Sequence, residues 1–360
     1  MKKRVHNFSA GPATLPVEVL ENIKEDFNGF EDIGSTIIEI SHRDPIFLNI
    51  AQNAEASVRR LLDLGDDQKI IFMQGGATLQ FSLIPLNFAP NNSKASYAEI
   101  GSWSSKAIKE ASRLCELEIC TSSKENNFTN ITDLSKWNFS SDSKYIHYCK
   151  NETIQGIRIS HDPDFDIPTF VDMSSCLFSE NLDFKKYDFI YACAQKNFGP
   201  SGITLVIVKD ELLSGCNSSL PNILRYDAHN EENSLLNTPN TFAWYVAGKM
   251  FGWYERNGGV EEMEKRSTEK SSLLYSLIDE SDFYQNPVTP DQRSINNVVF
   301  TLSDESLEKV FLDEAEKNDL CYLKGHRSVG GMRASIYNAM DLQSVEALRD
   351  FMKFFEKSYG

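Results

Sequence analysis

A single lysine stands among small residues between two apolar segments of the chain. Residues 191–202 read YACAQKNFGPSG, and Lys196 lies between the apolar runs YDFIYA and GITLVIV. Such runs are typical of strands covered on both faces, so the turn between them is predicted to emerge into a crevice. Burial lowers the pKa of a lysine, and its neutral amine can form a Schiff base with a carbonyl compound. Most lysines in turns are solvated surface groups, so this hypothesis needs support from the rest of the chain.

Three further features follow predicted strands. The segment QGGATLQF at 74–81 places two glycines before a helix, an arrangement that binds phosphate through free N–H groups and the helix dipole. Trp103, in the motif GSW, could stack on a planar ring, and Asp172 could pair with a protonated ring nitrogen. Taken singly, each feature also has an interpretation that involves no ligand: an ordinary turn, a core tryptophan and a buried carboxylate. Their order with Lys196 at successive strand ends, where open α/β sheets bind ligands, predicts a site for pyridoxal 5′-phosphate (PLP).

Three short segments contain arginine, and in two of them the arginine follows a histidine. These segments are SHR at 41–43, KGHR at 324–327 and GGMRAS at 330–335. An arginine side chain can bind a carboxylate or a phosphate through two parallel hydrogen bonds. The sequence therefore predicts an anionic small-molecule substrate. Any one of these basic residues could instead form a surface salt bridge. A surface salt bridge is disfavoured for Arg333, because Arg333 lies in a strand-like run.

Alternating element types predict the fold that must position these residues. Six apolar runs are typical of strands, and helix-like segments such as 54–62 and 104–114 lie among them. The strand-like runs are 69–73, 94–100, 144–149, 168–173, 187–192 and 202–208. This alternation predicts an α/β fold with a large, mainly parallel sheet. The turn before the last run is too short for a crossover helix, so the last two runs should be antiparallel.

The pattern changes near Gly258, which predicts a second and smaller α/β domain. From there, helices alternate with two strand-like runs, NVVFTL at 297–302 and GGMRASIY at 330–337. The predicted large cofactor-binding domain is 17–257, and the predicted small C-terminal domain is 258–360 together with 1–16. The N-terminal segment FSAGPATLP is expected to run between the two domains.

Composition and charge exclude several classes of partner. Acidic residues outnumber basic ones by 52 to 36, and the formal net charge of −16 argues against binding to nucleic acid or an anionic membrane. No apolar run is long enough to span a membrane, and no apolar signal core is visible, so a cytoplasmic location is expected. The seven cysteines form no CxxC pair and no zinc-like spacing with the six histidines, which predicts reduced thiols and no metal site.

The motifs resemble those of the phosphoserine aminotransferase family, whose members are class V, fold-type I PLP-dependent enzymes. The resemblance extends over nearly the whole chain, and its most specific part is the C-terminal motif. The motifs are NFSAGPATLP, SHR, GSW, HYCKNET, AQKNFGPSG, NTPNTFAWY, NGGV and KGHRSVGGMRASIYNA. The resemblance implies the fold-type I aminotransferase architecture and a homodimer with two shared active sites.

The resemblance also implies the reaction. It is a reversible transamination of 3-phosphohydroxypyruvate with L-glutamate, which gives O-phospho-L-serine and 2-oxoglutarate in L-serine biosynthesis. The same resemblance implies phosphohydroxythreonine, in pyridoxine biosynthesis, as a second substrate. The freed amine of Lys196 would act as general base and acid in the proton transfer at the substrate Cα.

A set of cofactor-binding residues follows from the resemblance. Lys196 would bind PLP through a Schiff base, Asp172 would pair with the pyridine nitrogen, and Trp103 would stack on the ring. Four further residues of the same subunit would hold the phenolic oxygen or the phosphate of PLP: Thr153, Ala77, Thr78 and Gln195. Two residues of the other subunit would reach the same phosphate: Asn237 and Thr238.

The resemblance assigns the basic residues to the substrate. Arg333 would bind the α-carboxylate. The phosphate of phosphoserine or the side-chain carboxylate of glutamate would bind four residues: His42, Arg43, His326 and Arg327. The chain departs from the family pattern at Thr78, where many members carry an arginine that helps to bind this distal anion. The contacts of the distal anion are therefore less closely defined than those of the cofactor.

Three alternatives remain open from the residues alone. The first is another class V enzyme, of the alanine–glyoxylate aminotransferase or cysteine desulfurase type. A desulfurase needs a mobile catalytic cysteine, and no cysteine here lies in a Gly/Ser-rich loop, while substrates without a distal anion would leave both His-Arg pairs without a role. The second is a non-catalytic relative, which the combination of Lys196 and Asp172 disfavours. The third is a nucleotide-binding protein, for which neither a Walker motif nor GxGxxG is present.

Overall fold

The computed structural model describes residues 4–27, 29–30, 34–162 and 164–360. Within these ranges the strands are β1 (His6–Asn7), β2 (Gln68–Met73), β3 (Lys94–Glu99), β4 (Glu116–Ser122), β5 (Ile146–Cys149), β6 (Asn151–Glu152), β7 (Ile157–Arg158), β8 (Thr169–Asp172), β9 (Phe189–Cys193), β10 (Thr204–Lys209), β11 (Tyr284–Gln285), β12 (Asn297–Leu302), β13 (Leu320–Cys321) and β14 (Met332–Ser335). The α-helices are α1 (Val17–Asp26), α2 (Pro45–Leu61), α3 (Gly76–Phe88), α4 (Ser102–Ala111), α5 (Ala194–Asn197), α6 (Asp210–Leu213), α7 (Tyr226–Glu231), α8 (Thr241–Arg256), α9 (Gly259–Glu280), α10 (Glu308–Lys317) and α11 (Leu342–Tyr359).

Seven strands form the central sheet, in the order β2-β10-β9-β8-β5-β3-β4. The strands from β9 to β4 are parallel to their neighbours, whereas β10 is antiparallel to both β9 and β2. The predicted α/β class, the mainly parallel sheet and the antiparallel final pair are therefore confirmed. All six predicted strands are present in this sheet, and its seventh strand, the edge strand β4, was not predicted.

The two faces of the central sheet are covered by separate groups of buried apolar side chains. Along β2, Ile70 and Phe72 pack into one group, and Ile71 and Met73 pack into the other, because successive side chains of a strand point to opposite faces. Helices α2 and α8 cover the first face, where the Phe47 and Trp244 rings meet edge to face at 5.8 Å between centroids. Helices α3 and α4 supply apolar side chains to the second face.

The C-terminal elements bury a third group of apolar side chains. The antiparallel sheet β11-β12-β14 packs with α9, α10 and α11, and the buried set runs from Leu274 to Phe355. Phe8 is fully buried in the same group, and β1 pairs in parallel with β13. The N-terminal segment then continues to the central sheet, where the backbone N–H of Ala13 donates a 2.9 Å hydrogen bond to the Gln195 carbonyl. Residues 6–13 thus connect the third group to the Lys196 segment.

All seven cysteines are free, and five of them are buried, as the spacing predicted. Across the described ranges, no helix combines the length and the apolar character that crossing a membrane requires. In the same ranges, no three His, Cys, Asp or Glu side chains are grouped so that they could hold a metal ion.

Candidate active site

The predicted cofactor-binding elements lie at one edge of the central sheet. Asp172 is the last residue of β8, and Lys196 lies in α5, directly after β9. The Gly75–Gly76 turn follows β2, and Trp103 lies in the first turn of α4, after β3. Because β2, β3, β8 and β9 run in the same direction, their carboxyl ends meet at this edge. This is the edge at which open α/β sheets bind ligands.

A buried carboxylate holds Trp103 in place. Glu152 is fully buried, and its two carboxylate oxygens accept hydrogen bonds from the backbone N–H groups of Trp103 (2.8 Å) and Ser104 (2.7 Å). These N–H groups have no acceptor within the first turn of a helix, so the carboxylate satisfies them and interacts favourably with the helix dipole. Gly101 is required beside it, because a Cβ atom at this position would lie 2.3 Å from the Glu152 side chain.

Thr153 connects Trp103 to Arg333. The indole nitrogen of Trp103 donates to the Thr153 hydroxyl at 2.9 Å, and the Arg333 guanidinium donates to the Thr153 carbonyl at 3.2 Å. Arg333 lies in β14, so this bond joins the small antiparallel sheet to the edge of the central sheet. Burial lowers the pKa of Arg333. A carboxylate bound here would supply the opposite charge and a bidentate acceptor.

Lys196 and Asp172 form the charged centre of the site. The Lys196 ammonium lies 5.1 Å from the centre of the Trp103 ring. Asp172 is 5% exposed and accepts a 2.8 Å hydrogen bond from the backbone N–H of Ser174. Burial raises the pKa of Asp172, and the charge of Lys196 opposes this rise. The carboxylate is therefore stabilised by a cation close to it.

The prediction that burial leaves Lys196 with a lowered pKa is wrong for this chain. Burial does lower the pKa of Lys196, but Cys193, Tyr337 and Asp172 raise it by more, so the net shift is upward. The expected shift came from burial alone and did not include the groups that face the amine in the folded chain. Two of these, Cys193 and Tyr337, were not among the predicted site residues.

The turn before α3 has the geometry of an anion site. Gly75 and Gly76 have φ angles of 96° and 66°, which favour glycine, and no side chain caps the helix. Ala77 and Thr78 lie in the first turn, where backbone N–H groups have no intrahelical acceptor. Both residues are at least partly accessible to solvent. Hydrogen bonds from this turn are therefore available to an anion, and binding of the cofactor phosphate here stays a prediction.

The N-terminal segment covers the Lys196 turn. In addition to the bond from Ala13, the backbone of Gly11 approaches Gln195 and Lys196 closely. A Cβ atom at Gly11 would lie 3.5 Å from the Gln195 carbonyl oxygen and 3.6 Å from Cγ of Lys196. Tyr337 completes this side of the site, since its hydroxyl donates to the carbonyl of Ala10 at 3.0 Å.

The basic residues divide into two groups. His326 and Arg333 line the same pocket, and Arg327 follows His326 in the chain. Burial and then the charges of Arg333, Lys106 and Arg327 lower the pKa of His326. The ring of His326 also shares a 2.7 Å hydrogen bond with the Ser328 hydroxyl. The structure thus brings the C-terminal basic residues to the Trp103–Arg333 side of the site.

The other predicted residues lie away from this cluster within one chain. His42 and Arg43 are in the loop before α2, and in the described ranges no side-chain hydrogen bond or ion pair joins them to Lys196. Asn237 and Thr238 are exposed, in the loop before α8. The Gln74 side chain donates to the Thr238 carbonyl at 3.1 Å, so this loop adjoins the Gly75–Gly76 turn of its own chain.

Polar residues that the sequence analysis did not predict hold the site together. Glu152, Asn197, Asn338 and Tyr337 are all buried and hydrogen-bonded to site elements. All four lie within quoted motifs: Glu152 in HYCKNET, Asn197 in AQKNFGPSG, and Tyr337 and Asn338 in the C-terminal motif. Their partners are distant in sequence, so local spacing alone gave no indication of these roles.

Comparison with known proteins defines the class to which this fold and site belong. The family model "Aminotransferase class-V" matches residues 5–348. Because the match covers most of the chain, the chain belongs to the class-V aminotransferase family.

The similar proteins are more specific. The chain is 47% identical to the phosphoserine aminotransferase of Acinetobacter baylyi over 358 residues, which cover 99% of this chain and all of the relative. It is also similar to the solved phosphoserine aminotransferase of Bacillus circulans subsp. alkalophilus, with a TM-score of 0.97, 41% identity and 99% of each chain covered. The solved PLP-bound phosphoserine aminotransferase of Trichomonas vaginalis has a TM-score of 0.92 and 35% identity, covering 97% of this chain and all of the other.

Proposed function

We propose that this chain is a phosphoserine aminotransferase. It would catalyse reversible transamination of 3-phosphohydroxypyruvate with L-glutamate, giving O-phospho-L-serine and 2-oxoglutarate. The observation that carries the proposal is the placement of Lys196, beside the buried carboxylate of Asp172 and 5.1 Å from the Trp103 ring centre. The full-length similarity to phosphoserine aminotransferases supports the same reaction.

The described residues fit PLP in three respects. The uncapped start of α3 can accept the phosphate, with N–H groups near Ala77 and Thr78. Asp172 has a raised pKa because of burial, so a protonated ring nitrogen against it would stabilise its carboxylate. Trp103 offers an aromatic face near Lys196, whose amine can bond covalently to the aldehyde carbon.

The residues then divide the work of the reaction. When bound, PLP would supply an electron sink for the negative charge that develops at the substrate Cα. Nζ of Lys196 would take the Cα proton as a general base and return a proton as a general acid. Asp172 would hold the proton on the ring nitrogen. Arg333 would bind the α-carboxylate and so fix the orientation of the Cα–H bond.

The remaining basic residues would recognise the distal anion. His326 and Arg327 lie on the Arg333 side of the site, as expected for contacts to the far end of the same substrate. We propose that His42 and Arg43 contribute to the site of a partner subunit, because they lie apart from the Lys196 cluster of their own chain. The same arrangement would accept phosphohydroxythreonine, whose phosphate and α-carboxylate are the same recognition groups.

A homodimer with shared sites follows from this assignment. Two exposed apolar side chains adjoin the residues involved: Leu79, which is 37% exposed, follows Thr78, and Ile38, which is 54% exposed, precedes His42 by four positions. A second copy of the chain would cover such side chains. In that assembly Asn237 and Thr238 would reach the cofactor phosphate bound in the partner subunit. Gln195 would contact the cofactor phosphate bound in its own subunit. Sedimentation at about twice the chain mass of 40.8 kDa would support the assembly.

Two broader predictions from the sequence are retained as proposals. The division into a large domain at 17–257 and a small domain at 258–360 with 1–16 is supported by the third apolar group, which combines Phe8 with C-terminal residues. A cytoplasmic location is consistent with small, water-soluble substrates.

The direct test is a visible absorbance titration of the protein loaded with PLP. O-phospho-L-serine should convert the absorbance band of the lysine-bound cofactor to that of its aminated form, and L-alanine should not at the same concentration. Conversion by both amino acids would favour an aminotransferase of the alanine–glyoxylate type. Absence of the lysine-bound band after addition of PLP would contradict the proposed function.

A further inference from the structure

Lys106 is a basic residue of the site that neither the motifs nor the proposed roles include. It lies in α4, three residues after Trp103 and therefore on the same face of the helix. Its ammonium lies 3.9 Å from the centre of the Trp103 ring, within the range of a cation–π contact. The ring that Lys106 contacts is the one that lies 5.1 Å from the Lys196 ammonium.

The surroundings of Lys106 carry an excess of positive charge. Its charge is one of those that act on His326, together with the charges of Arg333 and Arg327. Across the described ranges, no acidic side chain forms an ion pair with any of these four residues, although the chain has 52 Asp and Glu residues. Several like charges without a counter-ion repel each other, so an anion bound among them gains from each one.

The positive charges at the site suit a substrate with two anionic ends. Arg333 contacts Thr153, which holds the Trp103 indole, and is assigned to the α-carboxylate. Gln155 lines the same pocket as His326 and Arg333, and its side chain donates a 2.7 Å hydrogen bond to the Ser102 hydroxyl at the start of α4. Lys106 lies in this helix, and its charge acts on His326. The second anionic end of the substrate would therefore meet both Lys106 and His326.

We propose that Lys106 binds the distal anion of the substrate together with His326 and Arg327, and that it favours a phosphate over a carboxylate. This inference rests on the proposed function. A phosphate carries nearly two negative charges and three acceptor oxygens, so it gains more from an added ammonium group than a singly charged carboxylate does. Lys106 thus becomes a specificity-determining residue, which selects phosphoserine relative to glutamate at this end of the site.

The test compares Lys106→Met and Lys106→Arg with Lys109→Met. The control residue Lys109 is exposed and lies three residues after Lys106 in α4. Lys106→Met is expected to raise KM for O-phospho-L-serine about tenfold, as for loss of one charge-assisted hydrogen bond. The KM for L-glutamate should rise by less than about threefold, because that anion carries one charge. Lys106→Arg keeps the charge and should stay close to the wild type, as should Lys109→Met.

A second measurement reports on the same site without turnover. Titration of His326 by NMR should show a higher pKa in Lys106→Met than in the wild type, because one neighbouring positive charge is removed. Inorganic phosphate should raise the pKa of His326 in the wild type, and this response should be weaker in Lys106→Met.

Different results overturn different claims. Equal KM values for phosphoserine in the wild type and Lys106→Met, with an unchanged phosphate response of His326, would overturn the role of Lys106. An equal rise in KM for both amino acids would mean that Lys106 only supports Trp103, and would also overturn the inference. If the wild type itself does not use phosphoserine, the proposed function fails, and this result is distinct from the other two.

Discussion

The backbone N–H of Asn338 donates a 3.1 Å hydrogen bond to the side-chain oxygen of Asn197, the residue after Lys196. The Asn197 amide group in turn donates to the Leu177 carbonyl at 2.6 Å and to the Ser179 hydroxyl at 2.8 Å. Asn197 is 3% exposed, so these bonds form in a dry environment. One side chain therefore ties the Lys196 turn to the C-terminal loop that follows β14.

Replacing Asn197 with alanine should destabilise the protein and disturb the site at once. Asn197→Ala leaves three buried polar groups without this partner, which should lower the free energy of unfolding by about 2–4 kcal/mol. The kcat should also fall, because the Lys196 turn loses its anchor. Thermal denaturation and steady-state kinetics measure the two effects. Asn138→Ala, at an exposed asparagine, is the matched control and should leave both unchanged.

Replacing Glu152 with glutamine should weaken cofactor binding through Trp103. The amide of Glu152→Gln presents an N–H group where the carboxylate accepts bonds from Trp103 and Ser104, so the start of α4 must shift. The loss of one such bond to a charged acceptor corresponds to about 1.5–3 kcal/mol. The dissociation constant for PLP, measured by quenching of tryptophan fluorescence, should rise by about tenfold or more. Glu125→Gln, at an exposed position, should bind PLP like the wild type; similar binding by Glu152→Gln would contradict this account of Trp103.

Lys270 provides a prediction about stability alone. Its ammonium is 2% exposed and donates to three backbone carbonyls, those of Ile336 (3.0 Å), Tyr337 (2.8 Å) and Met340 (2.9 Å). Lys270→Met keeps an apolar chain of similar length and removes all three bonds. The free energy of unfolding in urea should fall by about 2–4 kcal/mol. Lys265→Met, at an exposed position of the same helix, should change it by less than about 0.5 kcal/mol, and an equal effect of the two variants would show that the three bonds contribute nothing.

The buried ring of His147 should make the free energy of unfolding depend on pH. Its ring is 1% exposed, lies between the Tyr97 and Tyr191 rings and shares a 2.9 Å hydrogen bond with the Tyr191 hydroxyl. Burial lowers the pKa of His147 from 6.5 to about 3, and burial raises the pKa of both tyrosines, so neither tyrosine ionises in this range. The unfolded chain therefore binds a proton below pH 6.5 that the folded protein does not take up until about pH 3.

The stability contributed by neutral His147 is thus fully present above pH 6.5 and is lost as the pH falls toward 3. The free energy of unfolding in urea can be compared between the wild type and His147→Phe. Between pH 7 and pH 4, the wild type should lose stability relative to the variant, by about 1.4 kcal/mol per pH unit at most. His161→Phe, at an exposed histidine, should keep the wild-type pH dependence. A constant difference between the wild type and His147→Phe would show that His147 titrates normally.

The sequence predicted the strands of the central sheet well, because their apolar runs are continuous and covered on both faces. Strand β4 was missed because ELEICTS alternates charged and apolar residues at an exposed sheet edge, a pattern weaker than a buried run. The placement of Lys196, Asp172 and Trp103 at the sheet edge could be predicted because Lys196 and Trp103 follow strands and Asp172 ends one. The motifs contain Glu152, Asn197 and Asn338, but they gave no indication of the hydrogen bonds these residues form, since the partners become neighbours only after the chain has folded.

The sequence also could not predict the direction of the pKa shift at Lys196. That shift depends on which acidic groups face the amine, and Tyr337 is 141 positions away in the chain, as the residue numbers show. Spacing rules describe local structure, whereas electrostatic balance depends on the three-dimensional arrangement.

The proposed role of Lys196 in PLP-dependent amino transfer to a phosphorylated substrate can be measured directly. The assay is the formation of O-phospho-L-serine from 3-phosphohydroxypyruvate and L-glutamate with PLP present, by the wild type and by Lys196→Ala. We expect steady turnover by the wild type and a loss of kcat of at least about a thousandfold in the variant, which should retain its fold by circular dichroism. Turnover by Lys196→Ala at a rate near that of the wild type would show that Lys196 does not have this role.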